Sequence, residues 1–254
     1  MAAMIFDSHA HYDDERFDGI RDELLLNMQN YNVCGIIHQS VNLEGSRLAL
    51  EYTEKYPNFY AMVGIHPQEI NGNTQFNQED FLPLIQNKKV VGIGEIGLDY
   101  YWDITFKENQ KKILREQMEF ANSNNLPISF HDREAHADSL EILKEMKPKG
   151  VVHCFSGSAE MASEIIKLGM YIGVGGVITF KNAKKLCEVV ERVPIDRILL
   201  ETDAPYLAPE PFRGKVNHSG YIEYIAQKIA DIKKMEYFDV LKITTDNSKK
   251  LFCI

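Results

Sequence analysis

Four cysteines in 254 residues, none of them in a C-x-x-C pair, cannot build a disulfide framework or a cysteine-rich zinc module. Cys34, Cys154, Cys187 and Cys253 read instead as reduced thiols. No apolar run approaches the about 18 residues that a membrane span needs. The opening residues also lack a basic stretch followed by an apolar one. A cytoplasmic location with no membrane partner is therefore expected. Excess positive charge is missing too: 28 Lys and Arg against 37 Asp and Glu leave a formal net charge of −9. That argues against a broad basic surface for gripping duplex DNA. A phosphate substrate is still compatible, because divalent cations invert the local charge of a carboxylate-lined pocket. Linkers, low-complexity tracts and repeats are absent as well, so one domain over residues 1–254 is expected, a length common among α/β barrels.

What the chain does contain is alternation. Short apolar runs lie near residues 4–8, 33–40, 59–65, 90–96, 127–131, 150–155, 171–177 and 198–203. Between them stand longer segments of helical character, such as "DELLLNMQNYN", "FKENQKKILREQMEFANSNN", "REAHADSLEILKEM" and "SAEMASEIIKLG". Ile113, Leu114, Met118 and Ala121 fall on one helical face with charges elsewhere. Eight strands each followed by a helix predict a TIM-like (β/α)8 barrel in preference to an open doubly wound sheet. Runs such as "VCGII" and "VVGIG" are almost wholly apolar, as buried parallel strands require.

Several of these runs gain polar residues only at their C-terminal ends. Those residues are His9 and His11, His38, His66, Glu95, His131, His153, and Glu201 with Asp203, from runs one to six and eight. A parallel barrel brings all such ends to one face, where barrel enzymes keep their active sites. His9 and His11, at i and i+2, leave a strand on the same side. Glu201 and Asp203 are expected to share the interior face, where two carboxylates repel unless a proton or a cation intervenes. His38 reads as structural rather than as a ligand, whereas substrate contact and loop packing stay open for His66. Imidazole and carboxylate donors without cysteine suit Zn²⁺, Mn²⁺, Fe²⁺ or hydrated Mg²⁺. Six ligands exceed one tetrahedral ion but serve two ions bridged by Glu95, the clamp used for attack on phosphate esters.

The motifs "DSHAH", "GIHP", "GEIGLDYY", "FHDRE", "HCFSG", "ETDAPYLAP" and "RGKVN" occur in the order and spacing of a TatD-family metal-dependent hydrolase, which the chain resembles from Asp7 to about Asn217. The resemblance implies a TIM-like barrel and a centre of two divalent ions, Mg²⁺, Mn²⁺ or Zn²⁺. It also implies deoxyribonuclease action, usually 3′ to 5′ on DNA and in some relatives on RNA. It makes His9, His11, Glu95, His131, His153 and Asp203 the metal ligands and sets His66 near the substrate phosphate. "NHSGY" at 217–221 departs from the family pattern, in which a proline and an acidic residue are expected.

On this footing Asp203 is expected to orient the attacking water and accept its proton, with Glu201 assisting. His66 and Arg133 would neutralise charge on the phosphoryl oxygens. Arg213 and Lys215 read either as holders of a neighbouring phosphate or as solvated charges. Tyr100, Tyr101 and Trp102 either stack unpaired bases or pack over the rim. A rival on the same barrel is a hydrolase of a small-molecule amide, lactone or ester, many of which bridge their metals with a modified lysine on strand 4. No lysine stands between Val90 and Ile104, which favours the phosphodiesterase branch. A non-catalytic metal-dependent binding module is a second rival, and a monomer is compatible with the sequence.

Overall fold

In the computed structural model, which describes residues 4–254, the apolar runs become strands of one parallel sheet. They are β1 (Ile5–Ala10), β2 (Val33–Gln39), β3 (Phe59–Val63) and β4 (Val90–Asp99), then β5 (Ile128–Arg133), β6 (Gly150–Val152), β7 (Tyr171–Val174) and β8 (Ile198–Leu200). Their spatial order is their chain order. Helices α1 (Arg21–Leu26), α2 (Leu43–Lys55), α3 (Gln78–Phe81) and α4 (Lys107–Ser123) follow the first four strands in turn. After them come α5 (His136–Met146), α6 (Ala159–Lys167), α7 (Lys184–Arg192), α8 (Ile222–Lys233) and a ninth, α9 (Tyr237–Phe252). Caps set several starts: Asn42 Oδ1 accepts from Gly45 N at 2.9 Å before α2, and Ser158 Oγ from Met161 N at 3.2 Å before α6. The α4 face predicted from spacing, Ile113, Leu114, Met118 and Ala121, is buried. None of the helices is long and apolar enough to cross a membrane among the described residues.

Alternation along the strands divides the core in two. Phe6, Ile37, Met62, Val151 and Leu199 belong to one cluster, and their strand neighbours Ile36, Val63, Val152 and Ile198 to another. The first fills the barrel, and the second packs strands against helices. The barrel closes where β1 meets the segment after β8. Ala10 and Ala204 form a parallel bridge, Asp203 N donates to His9 O at 2.9 Å, and His11 N donates to Ala204 O at 2.7 Å. Beneath this seam Thr202 donates to Asp7 through its hydroxyl at 2.6 Å and its amide at 3.0 Å. Burial pushes the Asp7 carboxyl up to about 6 against these hydrogen bonds. The seam brings a residue near position 200 against the first ten.

Several strand ends differ from the sequence reading, and three of them, in β4, β6 and β8, shape the site. β4 runs on to Asp99 because Gly97 pairs with His131 of β5. A Cβ there would lie 2.0 Å from His131 O. Gly97→Ala should cost about 1–3 kcal/mol of stability through this overlap, and an unchanged thermal midpoint would show that the strand pair can give way. β6 and β8 end early, at Val152 and Leu200, and the chain turns through left-handed residues Cys154 (φ 42°) and Asp203 (φ 57°). Those turns place His153 and Asp203 just past the last residues of β6 and β8. The 217–221 segment that departs from the family pattern is pinned by its own residues. Asn217 Nδ2 donates to Thr202 O and Tyr206 O, and Ser219 N donates to Tyr12 Oη at 2.9 Å.

Candidate metal centre

Glu95, 3% exposed, stands at the middle of the barrel mouth with five imidazoles around it. Its two oxygens face different groups. Oε2 lies 3.3 Å from His9 Nε2 and 3.2 Å from His11 Nε2. Oε1 lies 2.7 Å from both His131 Nδ1 and His153 Nε2, and 3.4 Å from His66 Nε2. Asp203 Oδ1 joins the first group, 3.5 Å from His11 Nε2 and 3.7 Å from His9 Nε2. The rings of His9 and His153 stack at 3.7 Å and tie the two groups together.

The far side of each ring decides what the near side presents. His11 Nδ1 lies 3.2 Å from Gln39 O, a carbonyl that only accepts, so this nitrogen carries the proton and Nε2 turns a lone pair inward. His131 Nε2 lies 3.3 Å from Asp99 Oδ2 and donates to it, leaving the Nδ1 lone pair toward Glu95. Ser129 Oγ sits 3.0 Å from His9 Nδ1. Lone pairs aimed at carboxylate oxygens repel unless something positive lies between them. In the absence of a cation, protons do this. Burial lowers His11, but hydrogen bonds to Asp203 and Glu95 outweigh it and hold the ring well above its ordinary value. At His131 burial is likewise outweighed by Asp99 and Glu95, and the pKa rises to about 9. Burial would raise Glu95, yet the surrounding imidazoles, His153 first, hold it well below the carboxylate range. Three overlapping sets, His9–Glu95–His153, His9–His11–Asp203 and His66–Glu95–His131, are compact enough to hold a metal ion. The donor chemistry therefore fits divalent cations.

His66 differs from the other four. Its Nδ1 accepts from Gln68 N at 3.1 Å, so the neutral ring carries its proton on Nε2 and donates toward Glu95. A ring presenting N–H suits a substrate oxygen better than a metal. His38 stays out of the cluster: it is buried, stacks on Phe59, and accepts Tyr12 N at 3.2 Å through Nδ1. Burial lowers it to about 4. His136 and His218 lie elsewhere, on α5 and in the loop before α8.

Glu201 and Asp203 do not share one face. With β8 ending at Leu200 and Asp203 left-handed, the Asp203 side chain keeps 18% exposure at the mouth, while Glu201 is fully buried below. Gly173 leaves room for the Glu201 carboxyl, and Cys154 N donates to its Oε1. Burial drives Glu201 well above the ordinary carboxylate value. Burial thus favours its neutral form, and it is absent from the lining of the open cleft. Asp203 is pushed up by burial, but the His11 hydrogen bond and nearby imidazoles bring it below its usual value, so it stays a carboxylate.

A cleft of about 610 Å³ lies above the cluster, lined by Glu95, His131, His153, Asp203, Arg133 and Trp102 among others. Arg213 is exposed, and its guanidinium lies 4.5 Å over Phe180, away from these residues; Lys215 lies over Phe212. Asp99 is the group that the sequence reading missed. It stands at i+4 from Glu95 in β4, hence on the same strand face, and this spacing could have revealed it. Gln68 Nε2 donates to its Oδ2 at 2.8 Å, and it lies below its usual value, at about 2, because hydrogen bonds from His131 and Gln68 overcome burial. Asp99→Asn should weaken divalent-ion affinity about 10–100-fold, read by competition with a chromophoric chelator. Unchanged affinity would make Asp99 a packing residue.

A parallel barrel with histidines and carboxylates gathered at the C-terminal mouth of its strands defines a metal-dependent hydrolase. The model of the TatD related DNase family matches residues 6–253, and the chain belongs to that family. A Bacillus subtilis relative named uncharacterized metal-dependent hydrolase YabD is 42% identical over 99% of this chain and all of its own. The Escherichia coli K12 protein named uncharacterized metal-dependent hydrolase YcfH is 34% identical over 98% of this chain and 96% of its own. The crystal structure of YjjV, a TatD homologue from Escherichia coli K12, superimposes with a TM-score of 0.92 at 30% identity, covering both chains fully.

Proposed function

We propose that the chain hydrolyses phosphodiester bonds of nucleic acid, as an exodeoxyribonuclease acting 3′ to 5′ on single-stranded DNA ends. The observation that carries this reading is the division of Glu95: one oxygen faces His9 and His11, the other faces His131 and His153. These residues, with Asp203 beside His9 and His11, would hold two divalent ions, Mg²⁺, Mn²⁺ or Zn²⁺. When bound, these ions supply Lewis-acid activation of water and neutralise charge on the phosphoryl oxygens.

The chain's own residues do the rest. Asp203, ionised and open to the cleft, orients the attacking water and takes its proton. His66 directs its Nε2 proton at a phosphoryl oxygen of the scissile group, and Arg133, which lines the same cleft, holds the substrate strand by its phosphates. Glu201, neutral and walled off, supports the Cys154 turn that presents His153. The TatD related DNase family name supports a nucleic-acid substrate, and Glu95 on β4 supports a phosphodiesterase over a lysine-bridged amide or lactone hydrolase.

End-labelled single-stranded DNA and RNA, incubated with each metal and with EDTA, test the reading. Stepwise shortening from the 3′ end, lost in EDTA, is expected. Turnover of amides or lactones with none of either nucleic acid would assign the site to the small-molecule branch.

A further inference from the structure

Trp102 is the single tryptophan of the chain, and 65% of its surface is exposed. So large an apolar side chain seldom stands so open. Packing over the barrel rim does not account for it, since a packed indole would lose most of that exposure. Its location is specific: Trp102 lines the cleft that contains Glu95 and Asp203.

Two neighbours hold it there. The Arg133 guanidinium carbon lies 4.1 Å over the Tyr101 ring and 5.4 Å over the Trp102 ring. Tyr101 meets the indole edge-on, with centroids 4.8 Å apart. The backbone is fixed as well, because Tyr101 N donates to Asp99 Oδ1 at 2.9 Å and Tyr100 N to Arg133 O at 2.9 Å. Asp99 thus anchors both His131 and the start of the aromatic loop. Arg133 stands two residues beyond His131 and leaves β5 on the same side. Arg115 and Arg192 are paired with Glu145 and Glu188, whereas among the described residues no carboxylate pairs with Arg133. A planar guanidinium with its donors free, held over aromatic rings at a cleft mouth, is suited to gripping phosphate.

Charge across the mouth gives a direction. Asp13 and Asp14, which follow β1, line the cleft opposite the Arg133 side, since β1 and β5 are diametric in a barrel of eight strands. Arg16 lies 4.0 Å from Asp14, so the acidic bias of that side rests chiefly on Asp13, and it favours a phosphate chain leaving over β4 and β5. We infer that Arg133 and Trp102 form a nucleotide-holding platform beside the hydrolytic centre. The guanidinium grips the phosphate next to the scissile one, and the indole stacks on the unpaired base that this phosphate carries. The inference rests on the phosphodiesterase reading and adds what selects the strand. A base inside a duplex has both faces covered and cannot reach the indole, so unpaired ends are preferred.

Because Trp102 is alone, its emission reports the platform without any turnover. A labelled phosphorothioate single strand, added to wild-type protein with Mg²⁺, should quench that emission as fluorescence anisotropy of the label saturates. For hydrolysis of an ordinary single strand, Trp102→Ala should raise KM about tenfold with kcat little changed, and Trp102→Phe should restore most of the loss. On a strand whose stacked nucleotide is abasic, Trp102→Ala should behave as wild type. Arg133→Ala should raise KM on both strands, because both keep the phosphate. Saturation without quenching, or equal losses on normal and abasic strands for Trp102→Ala, would overturn the platform. Wild-type protein that binds and quenches but cleaves with no divalent metal would overturn the hydrolase reading and support the platform as a binding site.

Discussion

Glu95→Gln is expected to abolish metal-dependent hydrolysis, lowering kcat/KM by more than about a thousandfold. The amide keeps the size of the side chain but removes the one negative charge that all five imidazoles surround. It also turns an N–H₂ toward one of the two histidine groups, where the rings present lone pairs. The group that meets the N–H₂ loses its oxygen donor, and the other keeps only a neutral carbonyl oxygen. The metal content of purified protein, measured by plasma mass spectrometry, should fall with the activity. Circular dichroism should stay unchanged, because the barrel is held by its ladders and its two apolar clusters. A folded variant that retains full metal content and turnover would remove Glu95 from the bridging position.

Asp203→Asn should lower kcat by about a hundred- to ten-thousandfold with a much smaller change in KM. The substituted amide retains an oxygen donor beside His9 and His11, so metal content should decline less than in the Glu95 variant. What it cannot do is accept a proton. Folding should be unaffected, because the seam at this point is backbone: Asp203 N donates to His9 O whatever the side chain. Retained turnover by correctly folded, metal-loaded protein would take Asp203 out of its role. Glu201→Gln gives the contrast. That carboxyl is already neutral and buried, and its loss of ionisation should leave the rate within a few-fold of wild type.

Much of this was readable in the chain. Buried parallel strands must be apolar on both faces, so runs such as "VCGII" and "VVGIG" announced themselves, and their regular spacing specified a barrel. Polar residues at the ends of those runs were conspicuous for the same reason. His9, His11, Glu95, His131, His153 and Asp203 all arrive at one mouth as expected. His38 is the instructive contrast. It ends an apolar run like the others, yet it caps Tyr12 N and stacks on Phe59.

Ring orientation was not readable, since it depends on partners distant in sequence. Gln39 O, Asp99 and Ser129 come from three different strands, and together they decide which nitrogen of His11, His131 and His9 faces inward. The opposite fates of Glu201 and Asp203 were hidden too. Period-two reasoning holds only while a strand continues, and β8 stops at Leu200.

The sequence by itself determined the barrel, the inventory of donors and the face on which they gather, because periodicity and apolar content are properties of the linear chain. Only the tertiary structure decided which histidine nitrogens offer lone pairs, which of the two carboxyls meets the cleft, and that the sole tryptophan stands exposed beside Arg133. Each of those depends on a hydrogen bond, a turn or a packing contact between strands, and no local pattern encodes it.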